Sequence, residues 1–114
     1  MYTLWTFEEM VDARNAYRAG GAAAAAAKTG KSERAIRAAA ARGWKPGKRM
    51  RRIPTLTTIA LTLAESGGVT ARDLEYNSLS DIRTCREILR RLALLGVLRR
   101  SSNYQPPVYT LRCQ

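Results

Sequence analysis

The sequence predicts a mainly α protein made of two small helical units, the second of which ends in a β-hairpin. Three observations carry that expectation. Residues 80–95 place Ile82, Cys85, Ile88, Leu89, Leu92 and Leu95 on one helical face, and Arg83, Arg86, Arg90 and Arg91 on the other with Thr84 and Glu87. Two strand-like runs, 97–100 and 108–112, flank a turn at 101–107 that contains two serines, an asparagine and two prolines. Between the halves, the twelve residues 44–55 (WKPGKRMRRIPT) carry five cations, two prolines, one glycine and no acid, which reads as an extended basic linker.

At 114 residues the chain has room for one ordinary domain or two very small ones. The expected division is a helical unit over 1–44, a linker over 45–54 and a second unit over 55–114. In the first half, Thr6 caps a helix while Glu9 reaches back to its amide, and Trp5 and Met10 occupy the positions of a hydrophobic staple. That helix runs to about Arg18 and ends at Gly20-Gly21. The alanine run 22–27 forms a second short helix, since alanine is the best helix former and lets helices cross closely. Gly30 makes the turn and Ser32 caps a third helix over 33–42. Ala35, Ile36 and Ala39 face inward there, and Glu33, Arg34, Arg37 and Ala41 outward. Alanine buries little area, so Trp5, Phe7, Tyr17, Ile36 and Trp44 are expected to supply most of this core.

The second half repeats a three-helix pattern. Leu56, Ile59, Ala60 and Leu63 recur at helical spacing, and Gly67-Gly68 ends that helix. Thr70 with Asp73 makes a variant capping box for a short helix containing Leu74, and residues 77–80 turn into the arginine-bearing helix. Gly96 closes that helix before the hairpin.

Charge indicates the partner. A formal net charge of +11, from 20 Lys/Arg against 9 Asp/Glu, points to a polyanion. Nucleic acid is expected rather than a membrane surface, because the cations lie on compact helical patterns without exposed aromatic anchors. The absence of histidine removes the commonest general base and the commonest metal ligand. Cys85 reads as a small core residue and Cys113 as a terminal thiol, too far apart for a zinc site. No cofactor and no metal are expected, and the thiols fit a reducing cytoplasm. No stretch approaches the roughly 20 apolar residues of a membrane span, and Glu8, Glu9 and Asp12 are unlike a signal peptide. Without histidine, a phosphate-cradling glycine loop or a close carboxylate pair, an enzyme is the least expected class.

Two resemblances add to this reading. Trp5-Thr6-x-Glu8-Glu9, Tyr17-Arg18-x-Gly20, Thr29-Gly30-Lys31-Ser32 and Ala35-Ile36-Arg37 ending at Gly43-Trp44 resemble Myb/SANT-like helix-turn-helix modules of the bacterial and phage, GcrA-like, type. The resemblance covers about residues 4–44 and implies that Lys31, Arg34 and Arg37 contact DNA. One departure is the second helix, nearly all alanine where the family has a larger aliphatic anchor. Ile88-Leu89-x-x-Leu92-x-x-Leu95-Gly96-Val97-Leu98-Arg99 followed by Val108-Tyr109-x-Leu111 is similar to a winged helix-turn-helix, over about residues 54–112. That similarity implies a recognition helix offering Arg83, Thr84, Arg86, Glu87 and Arg90 to the major groove, and a wing bearing Arg99, Arg100, Asn103 and Tyr104. Leu94 falls on the polar arc, with packing under the wing or against a second subunit as its two explanations.

The expected function is sequence-specific binding of double-stranded DNA by a bacterial or phage transcriptional regulator with two tethered recognition helices. Lys45, Lys48, Arg49, Arg51 and Arg52 of the linker would follow the phosphate backbone or enter a minor groove, and 46–49 is loosely similar to an AT-hook core. RNA polymerase or another protein is a further candidate partner, with no membrane, and the chain acts as a monomer or homodimer. The alternatives are a phage architectural, excisionase or DNA-packaging protein, and a protein-binding adaptor or inhibitor that uses the second unit as its surface.

Overall fold

The computed structural model describes residues 5–45, 53–101 and 106–112. The expectations for Lys48, Arg49, Arg51, Arg52, Asn103, Tyr104, Cys113 and the 46–49 motif lie outside the described residues. The chain divides into two compact units, Met1–Ile53 and Pro54–Gln114. It is mainly helical, with one two-stranded antiparallel sheet.

The first unit holds α1 (Phe7–Thr29) and α2 (Glu33–Ala41). The capping box at the start of α1 is formed in both directions. The Glu9 amide donates to Thr6 Oγ1 at 3.1 Å, and the Thr6 amide donates to Glu9 Oε1 at 2.9 Å. The break expected at Gly20-Gly21 falls at one non-helical residue, Gly21, at φ 84° and ψ −171°, which kinks α1 into two helical pieces, the second holding the alanine run. That backbone region is essentially restricted to glycine. Gly20 is tight for a different reason, since a Cβ there would stand 2.9 Å from Ala24 Cβ.

Ser32 caps α2 through the Ala35 amide. The far end of α2 closes with two reversed hydrogen bonds, Gly43 N–H to Ala40 O and Trp44 N–H to Ala39 O, both 3.0 Å. This is a Schellman motif, and it folds Trp44 back onto the unit. Trp44 is buried and meets Tyr17 edge-on, with ring centroids 5.6 Å apart. Phe7, Ile36 and Trp44 are core residues as expected, whereas Trp5 and Tyr17 are half-buried. Met10, Val11, Ala13, Ala25 and Ala39 fill the remainder. Arg14 is also inside, 1 % exposed, with Nη2 donating to Asn15 Oδ1.

The second unit runs α3 (Leu56–Glu65), α4 (Ala71–Tyr76), α5 (Ile82–Leu94), β1 (Leu98–Ser101) and β2 (Val108–Leu111). Thr70 and Asp73 form the expected capping box of α4. α5 begins two residues later than the helical pattern suggested, because Asp81 is its cap and Ser80 lies outside. Both are capping residue types, and the apolar period cannot choose between them. At its other end, Gly96 N–H bonds Ala93 O and Val97 N–H bonds Leu92 O, a second Schellman motif. That turn carries Leu95 out of the helix. It is 70 % exposed and does not join the apolar face on which its spacing placed it. Leu94 is 82 % exposed and so is not packed under the hairpin.

The hairpin pairs Leu98 with Leu111, Arg99 with Thr110, Arg100 with Tyr109 and Ser101 with Val108. Val69 adds an antiparallel bridge to Tyr109, with 2.8 Å hydrogen bonds in both directions. This bridge ties the segment between α3 and α4 to the sheet. One core joins Ala60, Ala64, Val69, Leu74, Cys85, Leu89, Leu92, Leu98 and Tyr109. Leu56, Ile59 and Leu63 pack against it from partly buried positions.

Candidate nucleic-acid interface

α5 has the division its spacing predicted. Cys85, Leu89 and Leu92 are buried, and Arg83, Thr84, Arg86, Glu87, Arg90 and Arg91 are exposed. Anchoring one face in the core fixes the helix rotation, so the arginines project from a rigid support. Asp81 accepts the Thr84 amide at 2.8 Å, and this hydrogen bond holds its carboxyl below the usual carboxylate value. Among the described residues, no carboxylate forms an ion pair with Arg83, Arg86, Arg90, Arg91, Arg99 or Arg100. Arginine cannot lose its charge at any working pH. The face is therefore predominantly cationic, with Glu87 as an exposed acid among the arginines.

The two hairpin arginines, grouped together by the sequence, do different things. Arg100 lines a cleft of about 380 Å³ with Arg86 and Arg90 of α5, closed by Ala71, Pro106, Pro107 and Tyr109. Arg99 instead lines a depression of about 700 Å³ with Thr110 and Arg112, which Arg100 also borders. Arg112 is thus a cation the sequence reading left out. Its position just past the second strand, opposite the 97–100 run, was the available signal.

The cations of the first unit are less available. Lys31 is only 10 % exposed at its side chain. Its ammonium lies 3.4 Å from Glu9 Oε2 and 5.3 Å from the Trp5 ring centroid. The Thr6 amide, opposed by partial burial and aided by Lys31, keeps Glu9 below its ordinary pKa and so charged. Lys31 thus acts as a strut of the unit, its ammonium held by Glu9 and Trp5 rather than free at the surface. Arg37 pairs with Glu33 one helical turn away at 3.3 Å, an exposed contact of little strength. Arg34 and Lys45 are exposed.

Arg14 was the residue missed inside this unit. Phe7, Met10, Val11 and Arg14 follow the i, i+3, i+4, i+7 pattern, so its position on the apolar stripe was visible. Among the described residues, no group of three or more Cys, Asp or Glu could hold a metal ion, and no helix is long and apolar enough to cross a membrane.

The chain matches no protein-family model, no curated protein and no solved structure.

Proposed function

We propose that the protein binds double-stranded DNA through the exposed face of α5 and the arginines of the hairpin, as a transcriptional regulator of bacterial or phage type. The observation that carries this reading is the set of unpaired arginines on a helix whose apolar back is locked into the core. The order helix, bridged residue, helix, amphipathic helix, hairpin supports a winged helix-turn-helix for the second unit. Three helical pieces with caps at Thr6 and Ser32 support a Myb/SANT-like module for the first. A duplex is favoured over single strands because, among the described residues, the sheet has one aromatic side chain, Tyr109, and it is buried rather than offered as a stacking platform.

With Lys31 committed internally, the first unit contributes Arg34, Arg37 and Lys45 as the weaker part of a tethered pair. Tethering through a short segment supplies an effective concentration near millimolar for the second contact. A protein-binding adaptor is the second reading, favoured by the exposure of Leu94 and Leu95.

Titration of a fluorescent duplex with the full chain at several salt concentrations tests the proposal. The logarithm of affinity is expected to fall with log salt at about −0.9 per phosphate, roughly −5 to −9 in total. A slope near about −2 removes the extended footprint. Absence of duplex binding favours the adaptor.

A further inference from the structure

We propose that Arg86, Arg90 and Arg100 act together as a clamp on one backbone phosphodiester, leaving base reading on α5 to Arg83, Thr84 and Glu87. This rests on the duplex-binding reading above and divides labour within its site.

Three guanidinium-bearing side chains line one cleft. Arg86 and Arg90 are four residues apart on α5 and therefore neighbours on one helical face. Arg100 comes from β1, directly opposite Tyr109 in the hairpin register, so both side chains stand on the same sheet face. Tyr109 is held in the core by the sheet and by its bridge to Val69. The pairing thus aims Arg100 back toward α5, and the three arginines line one cleft.

The rest of the lining defines the occupant. Among the described residues no acidic side chain lines the cleft, so no carboxylate there offsets its three charges. Ala71, Pro106 and Pro107 are small or rigid apolar walls, which concentrate the field of the cations. A compact anion with several acceptor oxygens satisfies such a site, and guanidinium forks match phosphate geometry. A nucleobase does not suit it, because the Tyr109 ring is 8 % exposed and cannot serve as a stacking platform. Arg83 and Thr84 lie in the first turn of α5, Glu87 lies one turn on from Arg83, and none of the three lines the cleft. They are the side chains left to meet base edges.

The test measures binding of the full-length chain to a duplex selected from a random library and to an unrelated duplex, each across a salt series. Replacing Arg86, Arg90 and Arg100 together by alanine is expected to weaken both duplexes by the same factor. It should flatten the salt slope by about 0.9, the value for one phosphate. Arg83→Ala should instead reduce the ratio between selected and unrelated duplex. A flattening of about 2.7, the sum for three separate phosphates, overturns the shared clamp. A triple-alanine loss confined to the selected duplex overturns it too, since those arginines would then read bases. Failure of the wild-type chain to bind either duplex is a different result and removes the duplex reading itself. Thermal melting of each variant separates these outcomes from unfolding, and replacement of the three arginines by lysine should restore the slope.

Discussion

Replacing Arg83, Arg86 and Arg90 together by alanine is expected to lower affinity for duplex DNA at least about a hundredfold with no loss of thermal stability. A base contact of Arg83 contributes about 1–3 kcal/mol and charged hydrogen bonds such as those of Arg86 and Arg90 to phosphate about 1.5–3 kcal/mol each, so the combined loss exceeds about 3 kcal/mol. The protein should remain folded because all three side chains are exposed and none is paired to a carboxylate. Relief of like-charge contact between Arg86 and Arg90 adds a few tenths of a kcal/mol in favour of the folded chain. Anisotropy titration beside a melting curve checks both halves of the statement. Unchanged duplex binding by a folded variant would leave the α5 face without a role.

The largest expected effect on stability comes from Gly68→Ala. Gly68 has φ +140°, and a Cβ placed there would stand 2.9 Å from Val108 Cγ1. Valine is stiff about its first torsion and sits in β2, so it cannot swing aside. Backbone strain of about 1–3 kcal/mol adds to an overpacking cost of similar size. The second unit should lose about 2–6 kcal/mol, a large share of the stability of so small a fold. Gly67→Ala is the matched control. Its φ of +131° brings the same backbone strain, but nothing lies within 4 Å of the added Cβ. Denaturant unfolding of the two variants should therefore rank Gly68→Ala clearly below Gly67→Ala. Equal losses would mean that the close approach to Val108 contributes nothing.

The features readable from sequence are those whose cause is local. The Thr6/Glu9 and Thr70/Asp73 boxes were visible because each needs only two residues three apart. The two faces of α5 were visible because its apolar period is long and unbroken. What stayed hidden depends on groups distant in the chain. The Val69 bridge forms only because Tyr109, forty residues on, presents its backbone there. Arg99 and Arg100 are chemically identical neighbours, and of the two Arg100, opposite Tyr109, lines the cleft that holds Arg86 and Arg90. Lys31 matches a DNA-contacting position by resemblance, yet Glu9 in the first turn of α1 and Trp5 just before its cap hold its charge. Leu95 fitted the helical period, but the period carries no information about where a Schellman turn ends it.

Two of these hidden features change the functional picture. Lys31, held by Glu9 and Trp5, leaves the first unit fewer free cations for the proposed interface. Addition of Arg100 to Arg86 and Arg90 gives the second unit a gripping element as well as a reading one. The balance of the proposed interface thus shifts toward residues 82–100.

The most direct measurement is a map of backbone amide shifts as the full chain is titrated with a short DNA duplex. Duplex binding through α5 predicts the largest shifts at residues 82–91 and at Arg99 and Arg100, with smaller ones near Arg34 and Lys45. Shifts confined to the region of Leu94, Leu95 and Val97, or the absence of any shift at Arg83, Arg86 and Arg90, would contradict it.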